Sequence, residues 1–251
     1  MLFWTSDRKQ ASLPDGMRLY AIGDIHGRLD LLEALLAEIE RDCKGCGEQP
    51  VTLVFLGDYV DRGPDSKGVV DRLIGAFPPA INTVFLKGNH EAMLLTSLSD
   101  PSAGLHWLCN GGDATVLSYG LPVMMGRKAI WDDVTAATEA IRQFCATLPK
   151  EHLRFYRDLQ LSCRIGDYFF AHAGIRPKTP LDRQREEDLL WIRKEFLNSG
   201  QDFGAVVVHG HTPSRSPQEH RNRIGIDTYA VLTGKLTAAG FEGSKRWFLS
   251  T

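Results

Sequence analysis

An apolar run over residues 51–56 stops at Gly57, and Asp58, Asp61 and Arg62 come before the next glycine, Gly63. The run has the composition of a buried strand, and residues 57–63 have that of a loop that does chemistry. A single Asp at a strand end is commonly a turn residue that bonds its own backbone. Here the same design occurs twice more. Residues 17–22 alternate and then turn apolar, ending in Gly23-Asp24-Ile25-His26-Gly27, and residues 83–86 end in Lys87-Gly88-Asn89-His90-Glu91. Leu29, Leu32, Leu35, Leu36 and Ile39 recur at helical spacing between the first two runs, to about Arg41. Val69, Val70, Leu73 and Ile74 do so between the second and third, before Pro78-Pro79 stops the helix. A helix through Leu94 and Leu95 comes next. This β-α-β-α-β order implies parallel strands with right-handed crossovers. Ligands of such sheets bind beyond the carboxyl ends of the strands, so the three polar segments share one edge and one site.

Residues 95–159 predict helical cover over that edge. Asn110-Gly111-Gly112-Asp113 reads as a loop, residues 131–148 have helical spacing through Val134, Ile141 and Cys145, and Pro149 opens a helix to about Leu159. From Leu161 strands dominate. Residues 161–165 and 168–171 read as a hairpin across Gly166-Asp167, and the second strand ends in His172-Ala173-Gly174. A charged helix over residues 187–197 precedes a strand at 205–208 that ends in His209-Gly210-His211-Thr212-Pro213. Residues 223–226, 229–232, 236–239 and 246–249 read as an antiparallel meander. The expected class is α/β, with two stacked sheets and helices outside. Residues 17–251 form one domain after a loose leader over residues 1–16, which carries the turn signal Pro14-Asp15-Gly16.

Composition removes several functions. The 251 residues carry a formal net charge of -2, which argues against a general nucleic-acid or membrane-surface protein. No apolar stretch is long enough to span a bilayer, and Asp7-Arg8-Lys9 interrupts the N-terminus too early for a signal-peptide core. The expected location is the cytoplasm. Five scattered cysteines make no disulfide framework. Cys43 and Cys46 form a Cys-x-x-Cys with no second pair, and they read as two free thiols.

Asp24, His26, Asp58, Asn89, His172 and His211 all close strands. Singly, each His is more often a core or surface residue and each Asp a turn or cap. Jointly, mostly flanked by glycine, they form a carboxylate–imidazole–amide set that suits borderline divalent metals, manganese first and iron or zinc as alternatives. Six ligands suit two ions about 3.5–4 Å apart sharing a carboxylate, and Asp58, on the middle strand, is the natural bridge. Two such ions make hydroxide available near neutral pH for in-line attack on phosphorus. Arg62 can bind phosphate oxygens, His90 can protonate a leaving alkoxide, and Asp61 can orient that imidazole. Strand alternation points His209 opposite to His211, and His106, His152 and His220 lie outside these loops as ordinary polar residues.

The segments Gly23–Gly27, Gly57–Gly63 and Leu86–Glu91 resemble the three signature blocks of the phosphoprotein phosphatases, metal-dependent serine/threonine phosphatases. His172-Ala173-Gly174 and Gly210-His211-Thr212 resemble the two later histidine blocks of that family. The resemblance runs from about residue 17 to the C-terminus and implies the calcineurin-like metallophosphoesterase sandwich. It implies Asp24, His26 and Asp58 on one metal, and Asp58, Asn89, His172 and His211 on the other. It also implies a His90–Asp61 acid pair, with Asn89 and two arginines at the phosphate. Arg62 matches the first arginine, and Arg193, in Asp188-Leu189-Leu190-Trp191-Ile192-Arg193, is chosen as the second. The expected substrate is a phosphoserine or phosphothreonine protein, with phosphotyrosine as a further possibility. Regulatory-subunit docking is not evident, because nothing matches the C-terminal tail of the eukaryotic catalytic subunits. The runner-up is a symmetrical dinucleoside-tetraphosphate hydrolase, which usually has Asp where this chain has Glu91 and lacks the Tyr59-Val60-Asp61 form. A non-catalytic phosphoprotein-binding module would show a lost ligand, and none is lost.

Overall fold

The computed structural model describes residues 10–44, 49–122 and 134–251. Three strands, Arg18–Ile22 (β1), Val51–Phe55 (β2) and Ile81–Phe85 (β3), run parallel, with Leu29–Cys43 (α1) and Ser66–Ile74 (α2) as crossovers. Every residue of β2 is buried, Thr52 included, which is why the rest of its sequence is apolar. Leu53 and Phe55 face a core shared with the helices, whereas Val54 faces a second sheet.

The helical cover is present. Asn89–Ser99 (α3), Gly104–Trp107 (α4), Asp113–Ser118 (α5), Val134–Thr147 (α6) and Lys150–Asp158 (α7) bring Trp107, Val116, Ile141, Phe144 and Tyr156 into the same core as Phe55 and Tyr59. The start of the helix predicted over residues 131–148 lies outside the described residues, as does Cys46. The loop predicted at Asn110–Asp113 is instead helical. Leu108–Gly112 winds as a π-helix into α5, and Gly111, at φ 105, is a kink inside it. The glycine pair that reads as a loop bends a helix so that the Gly111 carbonyl accepts the Arg62 N–H at 3.0 Å.

The second sheet holds Ser162–Ile165 (β4) and Tyr168–Ala171 (β5), the predicted hairpin. The charged helix predicted over residues 187–197 is broken. Glu186–Trp191 (α8) and Lys194–Leu197 (α9) are separated by extended Ile192 and by Arg193 at φ -134, ψ -97. The break lets Ile192 join Leu189 and Phe196 in a small apolar cluster. Val206–His209 (β6), Gln218–Glu219 (β7) and Arg223–Gly225 (β8) complete the order β4-β5-β6-β8-β7.

The predicted meander is therefore divided. β8 pairs parallel with β6, whereas Thr237–Glu242 (β9) and Lys245–Ser250 (β10) form a hairpin antiparallel to β1, giving β10-β9-β1-β2-β3. The strand predicted at residues 229–232 is a helical turn, Ala230–Thr233 (α10). Local bonds account for it: Asp227 Oδ1 accepts the Tyr229 N–H at 2.8 Å, and Thr233 Oγ1 donates to the Thr228 carbonyl at 2.8 Å.

Within the leader predicted over residues 1–16, Leu13 is buried and Ala11 and Ser12 are half-buried, whereas Gln10, Pro14, Asp15 and Gly16 are exposed; residues 1–9 lie outside the described residues. Leu13 is 3% exposed between the sheets, and its N–H donates to the Gly243 carbonyl at 2.9 Å. Leu13→Ala is expected to cost about 2–5 kcal/mol of stability, the usual loss for a buried leucine. Chemical denaturation of the two proteins checks this, and an unchanged midpoint would restore the loose reading.

Candidate metal centre

Strands β1, β2, β3, β5 and β6 end at one rim of the stacked sheets, and each delivers polar side chains there. Asp24, His26, Asp58, Asn89, His172 and His211 are brought together, none more than 5% exposed. The backbone that carries them is strained. His26, Asp58, Asp61, Arg62 and His211 all have φ between 47 and 75, the left-handed region that costs a non-glycine residue free energy. Surrounding bonds over-determine it. The N–H groups of Ile25 and His26 donate to the Asp58 carbonyl at 3.0 and 2.8 Å. The buried carboxylate of Glu91 accepts from the N–H groups of Gly88 (2.9 Å), Asp58 (2.9 Å) and Tyr59 (2.8 Å). Burial and the nearby Asp58 push that carboxyl up to about 8, against the pull of its backbone donors. A Cβ on Gly210 would run into the Asp24 carboxylate, so a glycine is required there.

The partners assign the imidazole tautomers. His26 Nδ1 donates to the Val60 carbonyl at 2.8 Å, and His172 Nδ1 donates to the Leu56 carbonyl at 2.9 Å. Each Nε2 then turns a lone pair inward. Arg62 donates to His26 Nε2 at 2.7 Å and to His90 Nε2 at 2.8 Å, and a guanidinium can only donate, so both nitrogens accept. His172 Nε2 lies 2.9 Å from Asn89 Oδ1 and 3.5 Å from Asp58 Oδ2, while Asp58 Oδ2 is also 3.5 Å from His26 Nε2. His211 Nε2 is buried without a partner.

Such a crowd of acceptor atoms fits bound cations. Burial pushes His26 down to about 3 and His211 to about 2, and lowers His172 as well, leaving the neutral imidazoles that metal ligation needs. Burial, with Asp227 and Asp58 as neighbours, pushes the Asp24 carboxyl well up, and burial raises Asp227 to about 6. Positive charge would relieve both carboxyls. Two donor groups, His26–Asp58–His90 and Asp58–His172–His211, each have their atoms within 4.8 Å and share Asp58. Asp24 stands beside them, its Oδ2 accepting the His211 N–H at 3.0 Å.

Beside the cluster, His90 Nδ1 donates to Asp61 Oδ2 at 2.6 Å, and both side chains are buried. Burial opposes a charge on His90, but Asp58 and Asp61 outweigh it and raise its pKa. Asp61 is itself fixed by Trp107 Nε1 at 2.8 Å and Thr115 Oγ1 at 2.6 Å. Arg193 is exposed at the α8–α9 break, close enough for its charge to depress His172, His211 and Asp227. His209 turns instead to Phe196, ring centres 5.0 Å apart. His106 and His220 are exposed, but His152 is buried, bonded to Tyr119 at 2.7 Å and to Asp71 at 2.9 Å, and so clamps α7 to α2. Trp107, Thr115 and Asp227 have no sequence signal that marks them. Glu91 has one, an acid at the third position of the helix that opens with Asn89.

The calcineurin-like phosphoesterase family matches residues 17–234. Serine/threonine-protein phosphatase 2 of Escherichia coli (strain K12) is 38% identical over 227 residues, covering 87% of this chain and 90% of that protein. Serine/threonine-protein phosphatase 1 of Salmonella typhimurium (strain LT2) is 32% identical over 229 residues, with 88% and 90% covered. The asymmetrical bis(5'-nucleosyl)-tetraphosphatase PrpE of Bacillus subtilis (strain 168) is 26% identical over 242 residues, with 88% and 89% covered.

Glu91→Ala strips the acceptor from the buried N–H groups of Gly88, Asp58, Tyr59 and Val60, and each one left unpaired costs about 1–3 kcal/mol. Thermal unfolding should drop steeply for Glu91→Ala and less for Glu91→Gln, which keeps one acceptor oxygen. Equal, small losses in both would mean that water takes over the N–H groups.

Proposed function

Because the chain belongs to the calcineurin-like phosphoesterases, a family with a dinuclear divalent metal centre, we propose that it hydrolyses phosphoserine and phosphothreonine esters of proteins. The observation that carries this reading is the buried His90–Asp61 pair beside Arg62. A serine or threonine alkoxide is strongly basic and needs a proton as it leaves, whereas a nucleotide phosphate leaves far more readily. Relatives named serine/threonine phosphatases at 32% and 38% identity support it. The Bacillus relative, 26% identical, favours a second reading, hydrolysis of a dinucleoside tetraphosphate.

In the proposed mechanism Asp24, His26 and Asp58 would hold one ion, and Asp58, Asn89, His172 and His211 would hold the other; manganese is the metal to supply. When bound, the ions supply an activated water and offset negative charge on the phosphoryl group. Arg62 exchanges its imidazole contacts for phosphoryl oxygens, which a guanidinium binds through two parallel N–H groups. Arg193 meets the phosphoryl group from the other side, beside His172 and His211, and Asn89 adjoins it. Asp61 holds His90 by Nδ1–H and stabilises the imidazolium, so that Nε2 carries the proton given to the leaving oxygen.

Leaving-group dependence tests these roles. His90→Asn and Asp61→Asn should lose about 10²–10⁴-fold in kcat/KM on a phosphoserine peptide and far less on para-nitrophenyl phosphate, whose leaving group needs no proton. Arg62→Ala should lose about 10²–10³-fold on both substrates, since it acts on the phosphoryl group itself. Equal losses for His90→Asn on the two substrates would remove it as the acid. Diadenosine tetraphosphate belongs in the same assay, and a higher kcat/KM on it than on any phosphopeptide would give the second reading the site.

Metal content is a separate measurement. Asp58→Asn should lose bound metal by mass spectrometry, while His90→Asn should retain it. Loss of metal from the His90 variant would make His90 a ligand.

A further inference from the structure

Arg176 lies in the loop that His172 opens at the end of β5, and it reaches across to the two helices that flank Arg193. Its Nε and one terminal nitrogen donate to Asp188 Oδ1 at 2.9 and 2.6 Å, and the other terminal nitrogen donates to Glu195 Oε2 at 2.5 Å. Asp188 belongs to α8 and Glu195 to α9, so one guanidinium spans the break at Ile192 and Arg193. A planar fork of donors holds two carboxylates in fixed directions at once, which the point charge of a lysine does not.

This bridge is anchored on both sides. The Arg176 N–H donates to Gln184 Oε1 at 2.7 Å, and Gln184 Nε2 donates back to the Arg176 carbonyl at 3.1 Å. The Ala173 N–H donates to the Leu189 carbonyl at 2.8 Å, which ties the same loop to α8. Ile175 and Ile192 are buried together in the apolar cluster that includes Phe196. Asp188 is buried, and a buried charge must be paired. Glu195 is exposed, and an exposed ion pair adds little to stability. The second arm of the bridge therefore calls for a reason other than stability.

Arg193 supplies that reason. Its side chain is exposed, and among the described residues no hydrogen bond or ion pair holds its guanidinium. The backbone at the break is left to direct it. Asp188 and Glu195 are the nearest acids before and after it in the sequence, the groups best placed to draw it away from His172 and His211. Arg176 occupies both of them.

Resting on the reading of Arg193 as the second phosphate arginine, we propose that Arg176 is a positioning residue that acts through Arg193. It holds α8 and α9 across the break and keeps Asp188 and Glu195 engaged, so that the Arg193 guanidinium stays free for the phosphoryl group.

The test is a double-mutant cycle on the manganese-loaded enzyme. Inorganic phosphate is the probe, and the readout is its competitive inhibition constant against para-nitrophenyl phosphate. Arg193→Ala should weaken phosphate by about 10–100-fold, the scale of a lost hydrogen bond between charged groups. Arg176→Ala should weaken it by about 5–10-fold in the wild type, within the usual range for coupled residues, and scarcely at all in the Arg193→Ala background. Arg176→Lys keeps the charge and the aliphatic stem, which guards against a failure to fold. It should show a smaller loss with the same dependence on Arg193. Both Arg176 variants should retain wild-type metal by mass spectrometry. An unchanged constant in both variants, or equal losses with and without Arg193, overturns the proposal while Arg193→Ala still upholds the reading of Arg193. Metal loss from both variants also overturns it, because Arg176 would then act through His172. If Arg193→Ala leaves phosphate binding unchanged, the reading of Arg193 fails and the positioning role falls with it.

Discussion

The carboxylate of Glu91 is the tie on which the site depends. It sits in the first turn of α3 yet bonds backward and sideways, to the N–H groups of Gly88, Asp58 and Tyr59. Those contacts bind the loop after β3 to the loop after β2 through one fully buried side chain. Asp58 is left-handed at φ 52, a conformation that would relax in an isolated loop. With its N–H held by Glu91, its Oδ1 accepts the His90 N–H at 3.0 Å and its Oδ2 faces His26 and His172. The shared carboxylate of the cluster is therefore aimed by a residue that is not a member of it.

The helical cover extends that support. Trp107 and Thr115 fix the Asp61 carboxylate, and Ser66 Oγ accepts the Asp61 N–H at 3.0 Å, so α2, α4 and α5 all meet at one residue. The kink at Gly111 presents a carbonyl to the Arg62 N–H. His152, bonded to Tyr119 and Asp71, ties α7 and α5 to α2. A segment that reads from sequence as cover thus positions both the His90–Asp61 pair and Arg62.

Strain and charge are distributed in the same way. Five left-handed residues cluster at the rim, where the loops must turn sharply to aim side chains inward. Buried carboxyls at Asp24 and Asp227 are pushed up by burial, and the imidazoles of His26 and His172 are held neutral. Such a rim is costly in the apo protein and is offset when cations enter, so metal binding and folding stability are coupled here.

The strand ends and the residues they carry are legible in the local sequence. Apolar runs followed by Gly23, Gly57 and Gly88 report local burial and local turning, and both are properties of neighbouring residues. Six candidate ligands, the His90–Asp61 pair and Arg62 were legible for that reason. Tertiary structure alone decided which sheet each late strand joined, since β8 and β9 carry the same periodicity whichever partner they take. It also decided the break at Ile192 and Arg193, because only a cluster that includes Phe169 and Val207, remote in sequence, makes burying Ile192 worth interrupting a helix. The partners of Asp61 come from α2, α4 and α5, and a contact between residues tens of positions apart leaves no trace in either segment's own pattern.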